Sequence, residues 1–169
     1  MSLSMYDLSI PRFKHIMNTL KAILAQAETY AKEKNIAEGV LPATRLIADM
    51  HPLANQVQIV TDQCKGCASR LAEVERPAFE DNETTIAQLI DRLDKTIAYL
   101  DTIPADKING TEDKDITLEL PSITMQFKGQ KYLQDFVMPN VYFHFTTAYN
   151  ILRTNGMPLS KKDFIGNIF

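Results

Sequence analysis

Met50-His51-Pro52-Leu53-Ala54-Asn55-Gln56-Val57-Gln58-Ile59-Val60-Thr61-Asp62-Gln63-Cys64-Lys65-Gly66-Cys67-Ala68-Ser69-Arg70-Leu71-Ala72-Glu73-Val74 decides the fold of this chain. Within it Met50, Leu53, Val57, Val60, Cys64, Cys67, Leu71 and Val74 recur at alternate spacings of three and four residues, which lays apolar side chains in one stripe along a helix. A stripe sustained this long reads as the seam of a helix bundle, with the helix beginning at about Asp49. Such a seam needs partners, and three other stretches supply them. Upstream, Ile10, Phe13, Met17, Leu20, Leu24, Ala27 and Ala31 hold the same spacing, and a polar tail, Lys32 to Asn35, leads to Gly39 and Pro42, where a helix would stop. Downstream, Pro77 is expected to end the seam helix. The acidic cluster Glu80-Asp81-Asn82-Glu83 offers caps for a third, whose stripe is Ile86, Leu89, Leu93, Ile97 and Leu100. The fourth runs from about Gly129 to Arg153 with Val137, Val141, His144, Ala148 and Ile151 on one stripe, and Gly156 and Pro158 stop it. Pro139 should kink it, because the ring removes one donor and crowds the carbonyl of Asp135.

Between the third and fourth helices the period changes to two. Ile116, Leu118 and Leu120 alternate with polar residues, as do Ile123, Met125 and Phe127, with Pro121-Ser122 between them. The expected architecture is therefore all-α, an antiparallel four-helix bundle with a small β-hairpin between the third and fourth helices, in one domain over residues 1–169. Eighteen basic against 21 acidic residues give a net charge of -3, and no stretch concentrates lysine and arginine with aromatics. Nucleic acid is thus not an expected partner. The segment Met1 to Asp7 lacks the basic flank and apolar block of a secretory signal, and no later run stays apolar long enough to span a bilayer. A cytoplasmic protein with no membrane partner is expected.

Pro139-Asn140-Val141-Tyr142-Phe143-His144 is the stretch with the most chemistry. It sets Asn140 and His144 four residues apart on one helix face, where a common metal site would have two histidines. Each also has a structural reading. His144 can be a buried histidine bonded to a neighbour, and the Asn140 amide can satisfy a backbone group freed by the kink. His15 falls opposite the first stripe and is assigned to solvent. Cys64-Lys65-Gly66-Cys67 has a spacing compatible with a disulfide or metal. Redox pairs gain their acidity at a helix N-terminus, however, and these two cysteines sit well inside the seam, so packing is the expected role. The seven methionines are read as core filling. Tyr142, Phe143, Phe145 and Tyr149 are read as cleft lining, core or dimer surface. No Gly-rich phosphate loop, Gly-x-Ser-x-Gly elbow or paired-histidine metalloprotease motif occurs.

Helix order and lengths, the late hairpin, Asp49-Met50-His51-Pro52-Leu53 and the ending Ala148 to Pro158 resemble the DinB/YfiT-like superfamily of bacterial proteins. More narrowly, Phe79-Glu80-Asp81-Asn82-Glu83-Thr84-Thr85 and Pro139 to Tyr149 are similar to one of its branches, a domain of unknown function. In the superfamily one histidine from the second helix and two from the last hold a metal. The resemblance carries the last pair onto Asn140 and His144, and the first ligand onto His51, with water or Asp49 completing the shell. It implies a divalent ion, zinc or nickel, held more weakly because an amide oxygen replaces an imidazole. His51, turned away from the seam centre and next to Pro52, can instead simply lie at the helix entrance. Two functions follow. In one, the bundle is a metal-dependent hydrolase or thiol transferase acting on an unidentified small molecule, with Tyr149 and Asp49 near the pocket. In the other it is a metal-free small-molecule-binding or structural homodimer without catalysis.

Overall fold

The computed structural model describes residues 3–120 and 122–167. A one-turn helix, α1 (Met5–Leu8), is started by a reciprocal Ser4–Asp7 capping box. The long helix α2 (Ile10–Glu33) follows, with Pro11 in its first turn, where the missing N–H would have no helical partner anyway. It buries Ile10, Phe13, Met17, Leu20, Leu24 and Ala27, as their spacing predicts, together with Ile16 and Ile23 beside them. His15, assigned to solvent, is instead half-buried, and its Nε2 lies 2.9 Å from the Ile165 carbonyl of the C-terminal segment. After a single turn, α3 (Val40–Ala43), the seam helix α4 spans Leu53–Ala72.

Both ends of α4 differ from the expected ones, for local reasons. Pro52 cannot continue a helix N-terminally, so it serves as the N-cap residue and Met50 stays outside the helix, half-buried. At the other end the chain leaves the helix before Pro77, because Glu73 turns into the left-handed region at φ 53° and the Glu73 and Val74 amides both bond back to the Ser69 carbonyl. Val74 is therefore exposed, and the buried seam runs from Leu53 to Leu71.

A crossover over residues 73–85 then leads to α5 (Ile86–Asp101). The acidic cluster does not cap this helix. A Thr85–Gln88 capping box does, while Asp81 and Glu83 turn to Arg92. Arg92 is 2% exposed. Its Nε donates to Thr61 Oγ1 at 2.8 Å, and its two terminal nitrogens reach Asp62 (3.0 Å), Asp81 (2.9 Å), Glu83 (2.9 Å) and the Glu80 carbonyl (3.2 Å). Lys65, 3% exposed, joins the cluster through Asp62 at 2.9 Å and lies 4.0 Å over the Phe79 ring. The buried guanidinium thus donates to Thr61, Asp62, Glu83 and the Glu80 carbonyl and forms an ion pair with Asp81.

The one-turn α6 (Ala105–Ile108) precedes the antiparallel hairpin of β1 (Asp115–Leu120) and β2 (Ile123–Lys128), in register Ile116 with Phe127 and Leu118 with Met125. Ile116 and Leu118 are buried, but Leu120 and Ile123 at the far end of the strands are exposed. Of the predicted turn, Pro121 lies outside the described residues. Phe127 meets Tyr132 and Phe136 at ring-centroid distances of 5.8 and 5.5 Å, which seats the hairpin on the helices.

The last helical run begins with α7 (Gly129–Lys131), widens into a π-helical turn over Tyr132–Val137, and continues as α8 (Met138–Thr154). The distortion expected from Pro139 thus takes the form of a π turn just before it, where the wider spacing relieves the crowding of Asp135. A final turn, α9 (Lys161–Ile165), packs Phe164 on Phe145 with centroids 4.4 Å apart.

Pairing of side chains gives the helix directions. Lys21 with Asp94 (2.5 Å), together with Lys14 and Asp101, sets α2 and α5 antiparallel. Gln56 against His144 and Leu71 beside Gly129 set α4 and α8 antiparallel. Within this antiparallel bundle α4 and α5 run side by side in the same direction, since Thr61 faces Arg92 and Glu75 faces Tyr99. The crossover is long enough to bring the chain back to the starting end of α4 for that purpose. Among the described residues no helix is long and apolar enough to cross a membrane.

Candidate functional site

A polar site distinct from the Arg92 cluster lies where the first turns of α4 face the middle of α8. Helical spacing puts Gln56 three residues after the buried Leu53, on the edge of the seam, and Gln56 is 1% exposed. Its Nε2 donates to the His51 carbonyl at 2.8 Å, and its Oε1 lies 2.7 Å from His144 Nδ1. A carbonyl only accepts, so the Gln56 nitrogen faces His51 and its oxygen faces His144, which must then donate from Nδ1. His144 is half-buried and meets Phe143 edge-on at 5.1 Å. Burial, and then the neighbouring His51, hold its pKa below the ordinary histidine value, so the neutral ring is favoured.

The other expected site residues are placed as follows. Asn140, half-buried one turn before His144, donates through Nδ2 to the Phe136 carbonyl at 2.7 Å. This satisfies a backbone group at the π turn and leaves Oδ1 as an acceptor. His51 sits at the entrance to α4 with an exposed side chain, close enough to His144 to disfavour its charge. Asp49 is exposed in the same entrance segment. Tyr149 lies elsewhere, edge-on to Phe164 at 5.7 Å, so the structure does not link it to His144. A groove of about 1020 Å³ runs between α2 and the C-terminal segment past Gln26, Lys161 and Asp163, and none of His51, Asn140 or His144 lines it.

Gln56 and Arg92 are the two residues the sequence reading passed over. Each carried one signal, a polar side chain three residues after a seam leucine, Leu53 or Leu89. The cysteines conform to the packing expectation: both are fully buried and free, and burial, reinforced for Cys64 by Cys67, pushes the thiols well above the ordinary range.

As to metal, the donors here are one imidazole with its tautomer set, a second imidazole on an exposed entrance residue, and an amide oxygen. Among the described residues no three His, Cys, Asp or Glu side chains converge. This set fits a weakly held borderline ion with several water positions and does not fit a closed structural zinc centre.

Comparison with known proteins agrees with the fold. Residues 5–165 match the model of a domain of unknown function, DUF1993. A DinB family member protein from Shewanella denitrificans, known from its crystal structure, superposes with a TM-score of 0.88 at 34% identity, over 96% of this chain and 92% of that one. None of the curated proteins matches the chain. On the family model the chain belongs to the DUF1993 family, and its bundle shares the fold of the DinB family member.

Proposed function

We propose that this protein binds a divalent ion, zinc or nickel, through His144 Nε2, the His51 ring and the Asn140 amide oxygen, and acts as a metal-dependent hydrolase or thiol transferase. The observation that carries the reading is the 2.7 Å contact between Gln56 Oε1 and His144 Nδ1. Histidines that ligate metals characteristically donate their other ring N–H to a second group, which fixes the ring and its free nitrogen. His144 has that arrangement, and His51 and Asn140 lie within the same corner of the bundle.

The chain's own residues then have separable tasks. His144 presents a neutral nitrogen, kept neutral by burial and by His51. Asn140 adds a hard oxygen while its nitrogen holds the π turn in place. His51, on the entrance segment, can swing in without disturbing a packed helix, and water or Asp49 completes the shell. When bound, such an ion supplies Lewis acidity that lowers the pKa of a coordinated water or thiol.

Metal analysis and zinc or nickel titration of protein purified without a histidine tag test this directly. Binding of one ion per chain that disappears in His144→Ala is the expected result. Protein that takes up no ion at micromolar concentrations, with a melting temperature indifferent to metal, would reject it and leave the metal-free binding or structural bundle as the account.

A further inference from the structure

We infer that Gln56 is a positioning residue that locks the neutral His144 ring as its Nδ1–H tautomer and so directs its lone pair to Nε2. The inference deepens the metal reading and rests on it for its effect on affinity, whereas the tautomer is a property of the protein without metal.

Three groups in a row set the tautomer. The His51 carbonyl has no proton to give, so it can be satisfied only by the Gln56 amide nitrogen, 2.8 Å away. That orients the amide and leaves Gln56 Oε1, an obligate acceptor, 2.7 Å from His144 Nδ1. Two acceptors at that distance would repel, so Nδ1 carries the proton. Gln56 is 1% exposed, so water cannot take over either bond without opening the α4–α8 contact. The edge-on Phe143 ring packs against the imidazole as well. A histidine free in water exchanges its proton between both nitrogens, whereas here one arrangement satisfies all three groups. His51 enters twice: its backbone anchors the relay, and its side chain is close enough to disfavour a charge on His144.

The test is long-range proton–nitrogen NMR on the full, metal-free chain labelled with nitrogen-15 in histidine, at a pH where the ring is neutral. In the native protein the His144 Nδ1 signal should be that of a protonated nitrogen and Nε2 that of an unprotonated one. Gln56→Leu should return both signals toward averaged values and weaken zinc binding about 10- to 100-fold, the usual cost of losing such a partner. Averaged or reversed signals in the native protein would overturn the inference, as would a Gln56→Leu variant that keeps the Nδ1–H form. Should Gln56→Leu fail to fold, the native spectrum alone decides. A locked tautomer in a protein that binds no zinc rejects the metal reading and upholds the relay.

Discussion

At the scale of single residues, the sequence Cys64-Lys65-Gly66-Cys67 shows how spacing and environment can point to different chemistries. The two thiols have the spacing of a redox pair, but they sit at 0% exposure inside α4, with no helix N-terminus to stabilise a thiolate. The residues between them are occupied elsewhere. Lys65 reaches Asp62 and Phe79, and Gly66 leaves room for Arg70 to fold back, where a Cβ would stand 2.7 Å from its guanidinium. From there Arg70 bonds the Gly66 carbonyl and the Tyr132 hydroxyl, both at 3.0 Å, tying α4 to the π turn. The segment is thus packing on one face and polar anchoring on the other. Replacing Cys64 by Ala should cost about 1 kcal/mol or more of stability through the vacated volume. Denaturant titration reads that loss. In the native protein a thiol reagent should modify either cysteine only at the rate of unfolding, and rapid labelling under native conditions would contradict the packing assignment.

Among the elements, the junction of the hairpin with the last helix is the tightest point. Gly129, buried at the start of α7, stands where a Cβ would lie 2.0 Å from the Thr111 carbonyl oxygen, and the next residue's amide, Gln130, bonds the Glu112 carbonyl at 2.9 Å. The obstructing atom is backbone on a segment already bonded in place, so it cannot rotate aside. Gly129→Ala is therefore expected to destabilise the protein by about 1–3 kcal/mol despite the better helix propensity of alanine. A thermal melt unchanged or raised by this substitution would show that the junction can shift. The elements themselves were largely readable in the sequence. The four stripes, the hairpin and the late helix all follow from the period of their apolar residues, because each buried position sees the same kind of neighbour one turn or two residues away. The helix ends were not. Glu73 ends α4 by adopting a left-handed conformation that has no side-chain signature, and the acidic side chains of Asp81 and Glu83, which looked like caps, are drawn away by an arginine eleven and nine positions further on. Of the candidate site, His144 and Asn140 were legible as one helix face, whereas Gln56 was not, since its partner is 88 residues distant in sequence.

For the molecule as a whole, the direction of the helices poses a problem that the Arg92 cluster solves. Running α4 and α5 in the same direction requires the 73–85 crossover to traverse the bundle, and that segment has no regular secondary structure to satisfy or stiffen it. Arg92 gathers it instead, joining α5 to Asp81, Glu83 and the Glu80 carbonyl of the crossover and to Thr61 and Asp62 of α4. Asp62 and Asp81 are substantially exposed, so water screens their share, while the Glu83 side chain is only 10% exposed and also accepts from Gln58 at 2.8 Å. Burial alone would raise the Glu83 carboxyl, but the hydrogen bonds from Arg92 and Gln58 outweigh it and hold the pKa below the usual glutamate value. A carboxyl depressed in the folded state contributes stability above its unfolded value, about 4.3, and loses it as pH falls through the folded value. Melting temperature measured from pH 7 down to pH 3 should accordingly drop below about pH 4 in the native protein. Glu83→Gln keeps the shape but removes the charge. It should lower stability at pH 7 by about 1.5–3 kcal/mol, the worth of a hydrogen bond to a charged group, and show a shallower fall with acid because one of the titrating anchors is gone. Two curves that stay parallel from neutral to acid would mean that the crossover is held by the exposed carboxylates or by packing on Phe79, and that Glu83 is not the link through which acid loosens the bundle.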